Sequence, residues 1–367
     1  MVIPNSTNGL GDAVLDLDGL DALIGALRAD GHLVIGPVLR DNAITLAEVE
    51  SVVDLPAGWG VDAGPGRYRV RRRSDDAVFG HSAGPQSWKS FLHPSRRTLV
   101  SSDSGGFHVP DEPAAKYAFL GARACDIAAI AKLTQVLRST GRTPFVVAAQ
   151  CTEPGEVCFC ASMRTGPAVE SGYDVALTER IDDEGHRFLA SAGTPAGAAL
   201  LARLPGRAAQ ERDVVLAESD VAAAADRMGR VMPEVDLRAL LAASRDSAHW
   251  ESVAQRCLTC GNCTMVCPTC FCATTEDVTD LSGGHAERAQ RWASCFEIDF
   301  SGLHGGAVRT SGASRYRQWM THKLGTWHDQ FGTSGCVGCG RCIAWCPVGI
   351  DITAEAAALT DLLGGRP

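Results

Sequence analysis

One spacing of cysteines occurs twice in the last third of this 367-residue sequence. The two runs are Cys257, Cys260, Cys263 and Cys267 followed by Pro268, and Cys336, Cys339, Cys342 and Cys346 followed by Pro347. The spacing C-x2-C-x2-C-x3-C-P holds [4Fe-4S] clusters in two-cluster ferredoxins, where the fourth cysteine of each run ligates the other run's cluster. This cross-pairing predicts one cluster on Cys257, Cys260, Cys263 and Cys346, and a second on Cys336, Cys339, Cys342 and Cys267. The sequence therefore predicts a chain that transfers electrons.

Two other roles for these cysteines fit the pattern less well. Tetrahedral zinc sites separate their pairs of ligands by a longer loop, whereas each run here places four cysteines within eleven residues. A disulfide framework is typical of short secreted chains, but this chain is long and its 15 cysteines are odd in number. Gly261, Gly338 and Gly340 lie between the predicted ligands, where the backbone must come close to inorganic sulfide. The glycines therefore favour clusters.

A second group of cysteines lies upstream of the two runs. Cys151, Cys158 and Cys160 fall within ten residues around a predicted turn, and Cys125 lies at the predicted start of a helix. A helix start favours a thiolate, so these four could ligate a third metal centre. The alternative is that they are buried free cysteines, which pack as small hydrophobic side chains. Three further cysteines are expected to pack beside the first cluster without ligating a metal of their own: Cys270, Cys272 and Cys295.

Composition narrows the classes of partner. The formal net charge is −9, so the chain lacks the basic surface that nucleic-acid-binding proteins use. Its N-terminal residues lack the basic and apolar regions of a secretory signal, and no apolar stretch is long enough to cross a bilayer. We therefore expect neither a nucleic-acid nor a membrane partner, and the many thiols predict the reducing cytoplasm. Motifs for dinucleotide binding, phosphate binding and hydrolysis are absent, so no catalytic residue is predicted.

The remaining patterns predict the elements that hold the cysteines. Upstream of residue 247, apolar spacing predicts a strand at 117–122, a helix from Asp126 and a strand at 144–149, in the order of an α/β layer. Downstream, it predicts helices around His285 to Phe296 and Tyr316 to Phe331. We therefore predict an α+β protein with an N-terminal α/β scaffold and docking domain, followed by an α-helical ferredoxin-like domain with two [4Fe-4S] clusters. The predicted boundaries are 1–246 and 247–367.

Arginines near these elements suggest two further hypotheses, one about partner docking and one about the reduction potentials of the clusters. A dense basic run occurs at Arg69, Arg71, Arg72 and Arg73. A solvated surface is its default interpretation, and docking of an acidic partner is the alternative. Arg256 and Arg341 adjoin predicted ligands, and we hypothesise that they raise the reduction potentials of the clusters by offsetting negative charge. Exposure of both side chains to solvent is the alternative.

Several segments resemble one known family. They are Ile35-Gly-Pro-Val-Leu-Arg40-Asp41, Gly84-Pro-Gln-Ser-Trp88-Lys89, Gly121-Ala-Arg-Ala-Cys125-Asp126, Cys151-Thr-Glu-Pro-Gly155, Cys267-Pro-Thr-Cys270-Phe-Cys272 and Arg291-Trp-Ala-Ser-Cys295-Phe296. On these residues the chain, from about 33 to 355, resembles the beta subunit of cytoplasmic NADP-linked (group 3b) [NiFe] hydrogenases, or sulfhydrogenases. The same pattern is shared with the electron-transfer subunit of anaerobic sulfite reductase.

The resemblance implies a non-catalytic iron-sulfur subunit of a larger oxidoreductase. Such a subunit relays electrons between a flavoprotein subunit that binds NAD(P)H and the small and large subunits of a [NiFe] hydrogenase. The sulfite reductase alternative replaces the hydrogenase with a sirohaem subunit. Only the eight cysteines of the two runs are carried over as ligands. A freestanding carrier is disfavoured, because such a protein would not need so large an α/β scaffold.

Overall fold

The computed structural model describes residues 11–110, 115–138 and 143–364. Its strands are β1 (Asp12–Leu15), β2 (Leu33–Arg40), β3 (Ala43–Glu48), β4 (Trp59–Gly64), β5 (Arg67–Arg72), β6 (Arg96–Asp103), β7 (Gly106–His108), β8 (Tyr117–Ala122), β9 (Phe145–Ala149), β10 (Val175–Asp182), β11 (Gly185–Ala192), β12 (Arg207–Ala208), β13 (Ala273–Thr279), β14 (Ala286–Trp292), β15 (Gly302–Leu303) and β16 (Gly306–Ala307).

Helices alternate with these strands in the first two thirds and dominate the last third. They are α1 (Leu17–Ala29), α2 (Lys89–Leu92), α3 (Ala124–Leu137), α4 (Pro195–Leu201), α5 (Glu211–Asp226), α6 (Leu237–Ala243), α7 (His249–Arg256), α8 (Asn262–Met265), α9 (Gly312–Thr321), α10 (Trp327–Phe331), α11 (Arg341–Ala344) and α12 (Ile352–Gly364). The mixed α and β content predicted from the sequence is confirmed. Among the described residues, no helix combines the length and the apolar composition that a bilayer span requires.

The largest sheet has eight strands in the order β12-β1-β11-β10-β9-β8-β2-β3. Its four central strands, β10, β9, β8 and β2, are parallel, and the pairs toward both edges are antiparallel. Successive residues of β9 alternate between two apolar cores, with Val147 on the side of α1 and Val146 on the side of α3. Helices therefore cover both faces of the sheet, as parallel strands require.

Local sequence explains where the two covering helices begin. The Asp16 carboxylate accepts a hydrogen bond from the Gly19 amide at 2.9 Å and caps α1, which then buries Leu20, Leu23, Ile24 and Leu27. At α3, the Asp126 carboxylate accepts from the Arg123 amide at 3.2 Å. Capping of this kind satisfies amides that the first turn leaves without partners. It also places Cys125 in the first turn of α3.

A second core surrounds the two cysteine runs. Helices α6, α7, α9 and α12 contribute buried side chains to it, including Trp250, Tyr316 and Trp319. Helix α9 continues through one π-helical turn, His322–Thr326, into α10. The predicted helical segment from Tyr316 to Phe331 is therefore confirmed. Its aromatic residues are largely core residues, as their spacing indicated.

The insert between the cysteine runs corrects one prediction. Residues 285–296 do not form a helix, because 286–292 form β14, which pairs with β13 and β6. Cross-strand contacts outweigh the helix propensity of the segment: Arg288 pairs with Asp277 at 2.6 Å, and Ala289 is fully buried. The predicted ferredoxin-like domain is thus not purely helical. The four-stranded sheet β13-β14-β6-β7 combines two strands that precede residue 246 with two that follow it. The division into 1–246 and 247–367 stays a prediction.

Candidate iron-sulfur sites

The two cysteine runs fold into matching loops. Gly261 has a φ of 73° and Gly340 a φ of 74°, and each immediately precedes a short helix, α8 or α11. These left-handed conformations are readily adopted by glycine. Because the same turn follows the second cysteine of each run, equal spacing along the sequence becomes equal geometry in the fold.

Backbone amides point at the first sulfur of each run. The Thr259 amide donates to Cys257 Sγ at 3.4 Å, and the Gly338 amide donates to Cys336 Sγ at the same distance. Both residues have positive φ, 50° for Thr259 and 65° for Gly338. A donated hydrogen bond stabilises a sulfur that carries negative charge, so both loops are suited to ligate a cationic metal cluster through thiolate.

A cavity lies beside the first run. The cysteines that line it are Cys257, Cys260, Cys263, Cys342 and Cys346. The fourth cysteine of the second run therefore lies with the first three of the first run, where the predicted cross-pairing requires it. Apolar side chains, including Phe296, Tyr316 and Trp319, form much of the remaining wall. Ligation of a cluster by these cysteines stays a prediction.

The second set of cysteines lies deeper. Cys336, Cys339 and Cys342 each lie close enough to Cys267 for electrostatic interaction, and Cys267 and Cys336 are buried. Burial raises the pKa of Cys336 to about 12 and that of Cys339 to about 11. A cluster that binds here has to replace protons on these sulfurs, because thiolates are the ligating form.

The charged side chain of Lys323 contacts this second set. Its Nζ lies 3.2 Å from Cys267 Sγ and 3.1 Å from Thr269 Oγ1, and it donates to the Gly335 carbonyl at 3.3 Å. The residue is only 3% exposed and lies in the π-helical turn. Burial alone would lower the pKa of Lys323, but the neighbouring thiols, Cys267 first, raise it. The site is therefore built for negative charge on sulfur.

A second lysine and the remaining downstream cysteines lie nearby. Lys89 Nζ donates to the Met265 carbonyl at 3.2 Å and lies 3.7 Å from the centroid of the Trp292 ring. Burial lowers the pKa of Lys89, and its interactions with Cys270 and Cys267 oppose that shift. The hydrogen bond with Cys270 is the main cause of the lowered pKa of Cys267. The other two downstream cysteines, Cys272 and Cys295, lie near each other.

Both lysines were missed as candidates in the sequence. Lys323 falls among aromatic residues at helical spacing and reads as part of a core-facing helix. A lysine on the apolar face of a helix is itself an indication of a buried anionic partner, because an unpaired buried charge is unfavourable. That indication does not reveal which residues supply the negative charge.

The two arginines next to the ligands differ in environment. Arg341 is 4% exposed, forms an ion pair with Asp126 at 3.0 Å and donates to the Gly84 and Gln86 carbonyls at 3.2 and 3.1 Å. The solvent-exposed alternative is therefore wrong for Arg341. The Arg256 side chain is 47% exposed and pairs with Glu355 at 2.7 Å. Only Arg341 has the burial that lets a charge act strongly on a neighbouring site.

The upstream cysteines are also brought together. All four, Cys125, Cys151, Cys158 and Cys160, line one cavity, and Cys339 of the second run also lies in its wall. Among the residues that the structure describes, no three cysteine, histidine or carboxylate side chains converge closely enough to hold a single metal ion. The cysteines of the first run and the upstream cysteines instead line two cavities.

The basic run near residue 70 is not a uniform surface. Arg73 is largely buried and forms ion pairs with Asp75 at 2.6 Å and Glu153 at 2.5 Å. Arg69 and Arg71 are exposed. The default interpretation of a solvated face therefore fails for Arg73, which joins the β5 hairpin to the loop that carries the upstream cysteines.

Comparison with known proteins agrees with this geometry. Residues 256–350, which span both runs, match the family described as "4Fe-4S dicluster domain". Over 338 residues the chain is 28% identical to sulfhydrogenase 2 subunit beta of Pyrococcus furiosus, covering 87% of this chain and 89% of that protein. Iron-sulfur clusters are therefore the cofactors that this segment is built to hold. The chain contains a 4Fe-4S dicluster domain and is a homologue of a sulfhydrogenase beta subunit.

Proposed function

We propose that this chain binds two [4Fe-4S] clusters and is the electron-transfer subunit of a [NiFe] hydrogenase complex. In this role it passes electrons between a flavoprotein subunit that binds NAD(P)H and the small and large hydrogenase subunits. The observation that carries the proposal is the position of Cys346 in the cavity of Cys257, Cys260 and Cys263. Homology to a sulfhydrogenase beta subunit favours a hydrogenase over the sulfite reductase alternative.

The residues around the runs suit that role. Bound clusters supply one-electron redox chemistry, and the chain sets their positions and potentials through sulfur hydrogen bonds, burial and charge. Thr259 and Gly338 donate amides to sulfur, and Lys323 donates to Cys267. Positive charge stabilises the reduced state of a cluster, because reduction adds negative charge.

The first run is the better point of contact with a partner subunit. Cys260 is exposed, and Leu258, two residues earlier, is 61% exposed. By contrast, Cys336 and Val337 of the second run are buried. Electron transfer between proteins requires close approach of the centres, so a partner that docks over Leu258 would exchange electrons with the first cluster.

The proposal is tested by variants that should interrupt electron transfer through this chain and leave the separate activities of the partner subunits intact. The complex is purified anaerobically with wild-type chain, with Cys263→Ser or with Cys342→Ser, and its subunit composition is checked. We expect H2-dependent reduction of NADP to fall at least tenfold in both variants. Reduction of artificial dyes by H2 or by NADPH should persist, because each uses only one end of the complex.

Two results would overturn parts of the proposal. Unchanged H2-dependent NADP reduction in both assembled variants would remove the chain from the electron path. A wild-type complex that reduces sulfite with NAD(P)H and neither consumes nor produces H2 would instead identify the sulfite reductase alternative. The relay role would survive the second result and not the first.

A further inference from the structure

The cavity formed by Cys125, Cys151, Cys158 and Cys160 lies outside the two cysteine runs. We infer that it holds a third iron-sulfur cluster, with these four cysteines as its ligands. On ligation each thiol releases its proton to solvent and forms a bond from sulfur to iron. The inference rests on the proposed function for its place in the electron path, but the metal content of the cavity can be measured separately.

The main sheet explains why distant cysteines meet here. Strands β8 and β9 are parallel neighbours, and Cys125 and Cys151 each follow the carboxyl end of one of them within three residues. The carboxyl edge of parallel strands is where α/β proteins commonly place their binding sites. The loop after β9 then returns Cys158 and Cys160 to the same cavity.

The loop is shaped to leave the cavity open. A β-carbon at Gly155 would lie 2.6 Å from Ser82 Cβ and 3.5 Å from Cys158 Sγ, so a larger residue would push the loop away from its neighbours. On the opposite side, Cys160 Sγ lies 3.9 Å from Met228 Sδ. Cysteine side chains line this cavity, as they line the cavity beside the first run.

Buried charge provides a second, independent indication of an anionic occupant. Arg123 is 7% exposed, and its guanidinium donates to Cys151 Sγ at 3.4 Å and to the Phe79 and His81 carbonyls at 2.6 and 2.5 Å. The neighbouring Asp126 carboxylate pairs with Arg341, and among the described residues no carboxylate forms an ion pair with the Arg123 guanidinium. A buried cation without an anion is unfavourable. A cluster held by four thiolates carries net negative charge and would supply that anion.

The cavity adjoins the second cysteine run. The Phe159 amide donates to the Gly338 carbonyl at 2.8 Å, Thr165 Oγ1 donates to the Val337 carbonyl at 2.7 Å, and Cys339 contributes to the wall of the cavity. A cluster here would therefore be the next centre after the second one. The relay would then run from the exposed first run, through the second, into the α/β scaffold.

Metal content of the full-length chain is the first test. Iron and acid-labile sulfide are measured on anaerobically purified wild-type protein, together with zinc. About twelve irons per chain is the expected result, since each [4Fe-4S] cluster contributes four. About eight irons would overturn the third cluster and leave the proposed function intact, whereas zinc with little iron would overturn both.

Variants then assign the third cluster to its cavity. Cys151→Ser and Cys158→Ser should each lose about one third of the iron, and the EPR spectrum of the reduced protein should lose one component. Met228→Leu is the matched control, because it changes the same wall with nearly conserved volume and removes no thiol. Iron content and EPR spectra in both cysteine variants identical to wild type would overturn the inference.

Discussion

The two cysteine runs have the same local geometry and different surroundings. In both, a residue with positive φ donates its amide to the first sulfur, and a glycine then begins a short helix. The first run lies near the surface, where Cys260 is exposed. The second is enclosed by the α/β scaffold and lies between Lys323 and Arg341. Cysteine spacing therefore determines the loop, and long-range packing determines access and charge.

Gly338 and Thr259 occupy matched positions in the two loops. The largest expected effect is a loss of stability on substitution of Gly338. A β-carbon at Gly338 would lie 2.6 Å from the backbone N and Cα of Cys160, so Gly338→Ala must separate the run from the scaffold. We expect it to lower the free energy of unfolding by about 3 kcal/mol or more. Thr259 already has a side chain at the corresponding position, and Thr259→Ala should change stability by less than about 1 kcal/mol.

Urea unfolding of the anaerobically purified protein measures both changes. Iron content is recorded alongside, so that loss of a cluster is recognised as part of the effect. Equal destabilisation by the two alanine variants would show that the enclosing contact at Gly338 contributes no more than the loop conformation that both runs share.

Removal of the buried lysine should produce the largest change in potential. Lys323→Met removes a positive charge and a hydrogen bond 3.2 Å from Cys267 Sγ with little change in side-chain length. Because hydrogen bonds to charged groups contribute about 1.5–3 kcal/mol, we expect the second cluster's midpoint potential to fall by up to about 130 mV. The first cluster is the internal control in a redox titration followed by EPR, and its potential should not move. A shift of both clusters, or of neither, would contradict this assignment.

The two arginines should give smaller and unequal changes. Arg341→Gln is combined with Asp126→Asn, because the single change would leave a buried carboxylate without its partner. Since the pair is close to neutral, we expect its loss to lower the second cluster's potential by only tens of mV. Arg256→Gln should shift the first cluster by less than about 10 mV, because solvent screens its half-exposed side chain. Equal shifts from the two changes would mean that burial does not control the effect.

Elements with strong local patterns were predictable. The helix that carries Tyr316 and Trp319, the strands at 117–122 and 144–149, and the start of α3 all follow from apolar spacing and punctuation. Segment 286–292 was not predictable as a strand, because its alternating polar residues are also compatible with a helix. Only pairing with other strands distinguishes the two. One of the segment's two partner strands, β13, is its neighbour in sequence, but the other, β6, lies nearly 190 residues earlier in the chain, and single-sequence patterns do not contain such pairing.

The site residues also divide into those that the sequence indicates and those that it does not. Cysteine identity and spacing indicated both runs and the upstream group, because ligation depends on residue type at fixed separations. Lys323 and Arg123 were not selected, since their importance depends on which sulfur each one reaches in the fold. Ion pairs and hydrogen bonds to sulfur join residues that are far apart in the sequence. A lone charged residue in an apolar stretch indicates only that it has some partner in the fold.

The contact between Cys160 and Gly338 has a consequence for how the inferred third cluster would be assembled. The loop around Cys160 leaves the ribosome well before the second run, so its cysteines remain uncovered while the rest of the chain is made. Once Gly338 packs against the backbone of Cys160, the second run covers that side of the loop. We therefore expect the delivery machinery to act on a partly folded chain, and a finished apoprotein to refill slowly unless it is first loosened.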